Sequence, residues 1–285
     1  VPALAQGDRV VTYAELDQRS ARLAAALQEA GLGVQAPVAI DLYNCNEWME
    51  SYYGSVKNRF VPVSINYRYL DDELTYLLEN SGSEAIVYHA SLGDQVAAVA
   101  AKMPAMKAII RVDDLGDGSP LPDGVLDYET IVTGHAPAPR IDRDDDDVVM
   151  WYSGGTTGLP KGILIPIGRS SAMYSSNEGR LRTLGRFTDP PESIPDDLAV
   201  AARELYEDGT RPIALPASPL MHSTAAAYAG PAIVACGGMI TTLESHSFDA
   251  HELFRTVDRY RVTTITIVGD AFSVPMLRAL QDATD

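Results

Sequence analysis

Short apolar strands alternate with helical segments along most of the chain. Strand character is concentrated in Val38–Leu42, Phe60–Val63, Ala85–Tyr88 and Ala108–Val112, and the segments between them show helical spacing of their apolar residues. Parallel neighbouring strands need a long crossover between them, which is usually a helix. The alternation therefore predicts an α/β fold with helices flanking a parallel sheet.

The alternation is interrupted twice, which divides the chain. Residues 113–139 are rich in Gly, Pro and Asp and predict a loop. Residues 177–212 are polar and contain Pro190-Pro191, so they predict an insertion. The pattern then resumes, which gives two approximate lobes at residues 1–185 and 213–285.

Three segments carry sharper local signals. Thr12 and Glu15 have the Thr-x-x-Glu spacing of a capping box, which predicts that a helix begins just after Thr12. The alanine-rich stretch Thr224–Ala235 predicts one helix, and the β-branched stretch Val262–Val268 predicts a strand.

Composition excludes several classes of function. Lys and Arg number 22 against 39 Asp and Glu, a net charge of −17, so a broad nucleic-acid interface is not expected. Five aspartates between residues 142 and 147 predict solvated surface rather than a metal site. Cys45 and Cys236 form no disulfide scaffold, and no apolar run reaches the roughly 20 residues of a membrane span. A cytoplasmic protein is expected, and Val1 in place of an initiator Met suggests that residues precede it.

The densest chemical signal follows the apolar stretch Val148–Tyr152. Glycines there let backbone N–H groups converge on one point, hydroxyls add donors, and a lysine adds positive charge. Such a cradle after a strand predicts binding of a phosphate chain. The predicted phosphate-binding residues are Ser153, Gly154, Gly155, Thr156, Thr157, Gly158 and Lys161.

Two alternatives apply to this segment. A Walker A loop requires Gly-Lys followed by Ser or Thr, whereas Pro160 precedes Lys161 and Gly162 follows it, so that motif is disfavoured. A plain Gly/Thr turn between two elements is the alternative that residue types alone leave open.

The full string from Tyr152 to Gly162 closely resembles the phosphate loop of the acyl-adenylate-forming superfamily. That superfamily includes acyl-CoA synthetases, adenylation domains of peptide synthetases and luciferases. Ser153 and Gly154 depart from the family's Thr and Ser, which removes one side-chain donor. The resemblance implies layered sheets flanked by helices, as in the large N-terminal domain of acyl-CoA synthetases.

Further stretches resemble other family motifs in the family's order. They are Val11–Leu16, Asn46-Glu47, Val56-Lys57, Val61-Pro62, Asn66–Arg68 and Pro219–His222. Two departures stand out. Asn58-Arg59 replaces an Ala-Gly turn. Met221 replaces an aromatic residue before the family histidine, so the family's gating by an aromatic ring is not carried over to this chain.

Two segments near the end, Ser247–His251 and Thr264–Phe272, look most like actinobacterial fatty-acid-CoA ligases, including those of steroid side-chain degradation. A counterpart to the Asp that holds the substrate amine in peptide synthetases is not evident. The resemblance implies a hydrophobic carboxylic acid as substrate, with small side chains of the alanine-rich helix lining its tunnel. The acyl and carboxylate pocket would comprise His222, Ser223, Ala227, Val268, Gly269 and Asp270.

The resemblance also implies the reaction and its participants. ATP, Mg²⁺ and coenzyme A would serve an enzyme that forms an acyl-adenylate and then a CoA thioester. The adenine, Mg²⁺ and catalytic lysine sites would lie beyond residue 285, so the chain is expected to be an N-terminal portion that is inactive alone. Transfer to a carrier protein and a non-catalytic ligand-binding homologue are the alternatives, and a homodimer is left open.

Overall fold

A computed structural model describes residues 1–153, 159–168 and 176–282 of the chain, without the side chains of residues 227–229. Its strands are short and mostly buried, as expected for apolar β-branched sequence. The strands are β1 (Pro2–Gln6), β2 (Arg9–Thr12), β3 (Pro37–Asp41), β4 (Val61–Ser64), β5 (Ala85–His89), β6 (Ala108–Val112), β7 (Val125–Asp127), β8 (Val148–Ser153), β9 (Lys161–Pro166), β10 (Ile213–Pro216), β11 (Met239–Thr242) and β12 (Thr264–Thr266).

Helices connect most of these strands, so the predicted alternation is confirmed. The helices are α1 (Tyr13–Glu29), α2 (Asn46–Lys57), α3 (Asp71–Ser81), α4 (Asp94–Ala100), α5 (Tyr128–Gly134), α6 (Asn177–Leu184), α7 (Leu198–Glu207), α8 (Ser223–Ala229), α9 (Pro231–Ala235), α10 (Ala250–Tyr260) and α11 (Asp270–Asp282). A short 3₁₀ turn, Ala90–Leu92, follows β5.

The described residues form two sheets. One has seven strands in the order β7-β6-β5-β3-β4-β8-β9, and the other has five in the order β12-β10-β11-β1-β2. All neighbours within each sheet are parallel except the edge strands β9 and β2, which run antiparallel to β8 and β1. The predicted α/β class, with sheets flanked by helices, is confirmed.

Residue contacts divide the chain into two compact units, each with buried apolar side chains of its own. One unit contains residues 17–43 and the described part of 47–169, and its core is centred on Val63, Leu77 and Tyr88. The other contains residues 1–16 and 44–46 and the described part of 170–285, and Leu215, Leu243 and Leu253 form one of its clusters. The division into lobes at 1–185 and 213–285 stays a prediction.

The start of α1 follows from its capping box. The Glu15 carboxylate accepts the backbone N–H of Thr12 at 2.7 Å, and the Thr12 hydroxyl accepts the backbone N–H of Glu15 at 3.2 Å. Two otherwise unpaired donors at the helix end are satisfied in this way. The capping box predicted from Thr12 and Glu15 is confirmed.

Three local predictions are wrong. The loop expected over 113–139 contains β7 and α5, where Asp127 accepts the backbone N–H of Thr130 at 2.7 Å and starts the helix. The strand expected over Val262–Val268 is limited to Thr264–Thr266. The helix expected over Thr224–Ala235 is two helices, α8 and α9.

The break between α8 and α9 has a steric cause. A Cβ at Gly230 would lie 2.3 Å from the carbonyl oxygen of Ala226, so only glycine fits this close approach. Pro231 follows as the first residue of α9, a position that needs no N–H donor. The Gly-Pro pair was a usable signal for this break.

A buried ion pair ties three elements of the first unit together. Glu50 in α2 is fully buried and accepts Arg19 Nε at 2.8 Å and the Tyr128 hydroxyl at 2.9 Å. Arg19 also pairs with Glu129 at 2.6 Å. Burial, followed by the charge of Glu50, raises the pKa of Tyr128 well above its usual range, so this hydroxyl stays a donor.

Candidate functional site

Only the two flanks of the predicted phosphate loop belong to the described residues. Gly154, Gly155, Thr156, Thr157 and Gly158 lie outside them. Ser153 is the last residue of β8, and Lys161 is the first residue of β9. The predicted convergence of backbone N–H groups in the loop therefore stays a prediction. The structure gives the geometry of the two residues that flank the loop sequence, Ser153 and Lys161.

The flanks meet at the carboxyl edge of the seven-stranded sheet. β8 runs parallel to β4, with Ser64 opposite Trp151. β9 returns antiparallel to β8, with Ser153 opposite Lys161 and the Ser153 hydroxyl 3.5 Å from the Lys161 carbonyl oxygen. The connecting segment thus leaves and rejoins the sheet at adjacent positions, at the edge where parallel α/β sheets usually bind ligands.

Lys161 has the exposure that anion binding requires. Its side chain is exposed, and it forms no hydrogen bond or ion pair with any residue in the described ranges. Its ammonium group thus has three N–H donors that no residue of the described ranges engages.

Helix α3 holds both flanks through two residues that the sequence analysis missed. The Tyr76 hydroxyl donates to the Pro160 carbonyl oxygen at 2.9 Å, and the Tyr152 hydroxyl donates to Asn80 Oδ1 at 2.8 Å. Tyr76 and Asn80 are four residues apart, so they lie on one face of α3. Burial raises the pKa of Tyr152 to about 12, which keeps its hydroxyl protonated as a donor near neutral pH. The polar face of α3 alone gave no indication of what it would contact.

The predicted acid-pocket residues follow two neighbouring parallel strands of the five-stranded sheet. Pro216 pairs with Thr266 across β10 and β12, and just beyond them the Ser218 N–H donates to the Thr266 carbonyl oxygen at 2.9 Å. The segment after β10 leads to His222 and Ser223, and the segment after β12 leads to residues 268–270. The structure therefore places both predicted groups at one sheet edge.

The predicted pocket residues differ in solvent exposure and in their place in the secondary structure. His222 is the exposed N-cap residue of α8, and its N–H donates to the Pro219 carbonyl oxygen at 3.0 Å. Ser223 is exposed, and Val268 is 52% exposed. The side chain of Ala227 lies outside the described set, whereas its helix α8 contacts both β10 and β12.

Gly269 and Asp270 form the turn from β12 into α11. Gly269 has φ +65°, a left-handed conformation that glycine adopts without strain. Asp270 begins α11 and accepts the Ser273 hydroxyl at 3.4 Å. A carboxylate in the first turn of a helix is electrostatically favourable, so Asp270 also has a structural role at the start of α11.

A Mg²⁺ site is not assigned. In the described ranges, groups of three or more His, Cys, Asp or Glu side chains that could hold a metal ion are absent. Within the aspartate run, Asp147 is buried rather than solvated, and Arg59 Nε donates to its carboxylate at 2.8 Å. Arg59 also pairs with Asp144 at 3.3 Å, so two of the five aspartates are part of a structural ion-pair network.

The described helices include none that is long and apolar enough to span a membrane.

Comparison with known proteins adds independent information. The family model described as "AMP-binding enzyme" matches residues 1–284. The medium-chain acyl-CoA ligase Mig of Mycobacterium avium is 33% identical over 97% of this chain and 51% of its own length. The 3-oxocholest-4-en-26-oate–CoA ligase of Rhodococcus rhodochrous is 32% identical over 98% of this chain and 48% of its own length. The chain therefore spans about half the length of these relatives.

Solved structures agree on the fold. An acyl-CoA synthetase of Brucella canis matches 99% of this chain and 47% of its own, with a TM-score of 0.77 and 17% identity. The anthranilate CoA ligase AuaEII, solved with anthranoyl-AMP, matches 93% of this chain and 46% of its own, with a TM-score of 0.75 and 18% identity.

Proposed function

Because the chain belongs to the AMP-binding enzyme family, we propose that it is the ATP-using part of an acid–CoA ligase acting on a hydrophobic carboxylic acid. The observation that carries the proposal is the pairing of Ser153 with Lys161 at a sheet edge, on either side of the Gly/Thr loop sequence. This arrangement provides an exposed ammonium group where a phosphate chain would enter.

The proposed reaction has two steps. A carboxylate oxygen of the acid attacks the α-phosphorus of ATP, and the bond to the bridging oxygen breaks to release pyrophosphate. The CoA thiol then gives up its proton and its sulfur attacks the acyl carbon, which forms the thioester, while the bond from the acyl carbon to the phosphate oxygen breaks and releases AMP. Lys161 and the donors of the loop would bind the β- and γ-phosphates and stabilise the charge that moves to pyrophosphate.

The proposed acid is a fatty acid or a steroid side-chain acid. Two relatives of this chain are named for medium-chain acyl-CoA and 3-oxocholest-4-en-26-oate–CoA ligation. The small side chains of α8 are consistent with a bulky apolar ligand, although Ala225 and Ala226 are themselves buried. His222, Ser223, Ala227 and residues 268–270 are the proposed pocket.

Mg²⁺ would accompany ATP in the proposed reaction, and no residue is assigned to hold it, because the described part of the chain contains no group of three or more ligands for a metal ion. ATP and CoA as substrates support a cytoplasmic location. Self-association as a homodimer stays a prediction.

The test is titration calorimetry of the chain with ATP and with decanoate. Pyrophosphate release and thioester formation are assayed with a protein of its relatives' full length that contains the chain, because the chain alone is expected to be inactive. Hexanoate, decanoate, palmitate and 3-oxocholest-4-en-26-oate form the acid series. Saturable ATP binding supports the proposal, and its absence together with saturable acid binding would indicate a non-catalytic homologue. In a protein that releases pyrophosphate, acyl transfer to a holo carrier protein but not to CoA would indicate the carrier-loading alternative.

Changing Tyr76 to Phe is expected to weaken ATP binding about three- to tenfold. The change removes only the hydroxyl that donates to Pro160, and one hydrogen bond contributes roughly 0.5–1.5 kcal/mol. The ATP dissociation constant measures the effect. Tyr69→Phe is the control, because the Tyr69 hydroxyl makes no hydrogen bond to the described part of the chain; equal losses in both variants would contradict the assignment.

A further inference from the structure

The side chain of Asn44 forms hydrogen bonds with the backbone of every second residue between Pro216 and Leu220, in the segment that leads to His222. Its Nδ2 donates to the carbonyl oxygens of Pro216 at 2.8 Å and Ser218 at 3.0 Å, and its Oδ1 accepts the Leu220 N–H at 2.6 Å. Both donors and the acceptor of the carboxamide are thus engaged with one segment. Residues 44–46 belong to the same compact unit as that segment.

The segment has few backbone partners of its own beyond β10. Pro219 has no N–H, and residues 217–221 belong to neither a helix nor a strand. Its backbone hydrogen bonds to the described part of the chain join Ser218 to Thr266 and His222 to Pro219. A side-chain carboxamide therefore supplies contacts that a sheet would otherwise provide.

Asn44 is itself fixed by β1. Gln6 at the end of β1 donates through Nε2 to the Asn44 carbonyl oxygen at 3.4 Å and to the Leu243 carbonyl oxygen at 3.0 Å. Gln6 and Thr242 are paired residues of neighbouring parallel strands, so both lie at the carboxyl edge of the five-stranded sheet. The carboxamide of Asn44 is thereby tied to the rigid edge from which the His222 segment departs.

We propose that Asn44 is a positioning residue that fixes the course of residues 216–222 and, through it, the place of His222 at the sheet edge. The inference rests on the proposed function only in taking His222 as part of the acid pocket. Asn44 acts through backbone contacts, so its removal alters the setting of His222 without removing any group that would touch the acid.

The test measures backbone protection and the histidine directly in the 285-residue chain. Amide hydrogen exchange of Leu220 and the Cε1–Hε1 NMR signal of His222 are compared in the wild type, Asn44→Ala and Asn44→Asp. The matched control is Asn58→Ala, because Asn58 is a buried asparagine of the other unit that donates to the Ala24 carbonyl oxygen at 3.2 Å. Decanoate affinity is measured in parallel.

We expect Asn44→Ala to accelerate Leu220 exchange at least about threefold, because it removes the acceptor of the Leu220 N–H and both donors to the segment, and one such bond alone contributes roughly 0.5–1.5 kcal/mol. Asn44→Asp keeps an acceptor for Leu220 but has no donor for the carbonyl oxygens of Pro216 and Ser218, so a smaller acceleration is expected. Both variants should shift the His222 signal, and Asn58→Ala should move neither readout. If Asn44→Ala does not fold, the nearly isosteric Asn44→Asp carries the test.

Unchanged Leu220 exchange and His222 signals in the folded Asn44 variants would overturn the inference. Equal changes in Asn58→Ala would also overturn it, because Asn44 would then contribute only general stability. A wild-type chain that binds none of the four acids of the proposed series would contradict the proposed function, whereas the exchange and NMR readouts would still decide whether Asn44 positions His222.

Discussion

Replacing Asp41 by Asn is expected to remove about 2.5 kcal/mol of pH dependence from the free energy of unfolding between pH 5 and pH 8. Asp41 ends β3, is almost fully buried, and its Oδ1 finds no hydrogen-bond partner among the residues that the structure describes. Burial raises the pKa of its carboxyl group from 3.8 to about 7. An isolated buried carboxylate is costly, so the folded state favours the neutral acid.

The direction of the effect follows from proton linkage. Between about pH 4 and pH 7 the folded chain binds a proton at Asp41 that the unfolded chain has released. The stabilisation from the neutral carboxyl is therefore fully present below pH 4 and is lost as the pH rises through 7. Each unit of pKa difference corresponds to about 1.4 kcal/mol, and about two units of the shift are titrated between pH 5 and pH 8.

Urea unfolding of the wild type and Asp41→Asn at pH 5, 6, 7 and 8 measures this dependence. The variant should gain stability relative to the wild type as the pH rises, and comparing the two cancels the titration of other groups. Asp123→Asn, at an exposed aspartate of the same unit, is the charge-matched control and should follow the wild type. Parallel curves for the wild type and Asp41→Asn would contradict an unpartnered buried carboxyl at this position.

Lys161→Ala is expected to weaken ATP binding about 10- to 100-fold. The variant removes the exposed ammonium group at the start of β9, and a hydrogen bond to a charged group contributes roughly 1.5–3 kcal/mol. Lys161→Arg keeps the charge and should retain part of the affinity, although its planar guanidinium presents a different donor geometry.

Calorimetric titration with ATP at constant ionic strength measures this change. Lys102→Ala is the matched control, since Lys102 is exposed in the same unit and its removal changes the net charge equally. If the two alanine variants lose the same affinity, the phosphate would be attracted by overall charge, and the assignment of Lys161 would be wrong. Unfolding midpoints of all variants show whether the fold is retained.

Much of the fold could be predicted because its signals are local. Apolar strand character located β6 at the residues where the structure has it, Ala108–Val112, and located β3 and β4 to within one residue. The family resemblance read from the phosphate-loop string is confirmed by the AMP-binding family match over residues 1–284. Strings of this kind are informative because the residue types required by the chemistry are contiguous in sequence.

The errors have physical causes of two kinds. β7 is only three residues long and lies close to Gly- and Pro-rich sequence, so its apolar signal was too short to separate from a loop. The strand expected over Val262–Val268 is shortened to Thr264–Thr266 because its pairing is limited by the short neighbour β10. Propensity describes what a segment favours, whereas the available partner decides how much of it pairs.

The sequence by itself determined the alternation of strands and helices, the capping box of Thr12 and Glu15, and the family. Tertiary structure alone decided which residues hold the site in place. Tyr76 reaches Pro160 across 84 positions of the chain, and Asn44 reaches Pro216 across 172. Such contacts leave no periodic or local signal, because their energy is realised only when folding brings distant backbone carbonyls within hydrogen-bond distance of a side chain.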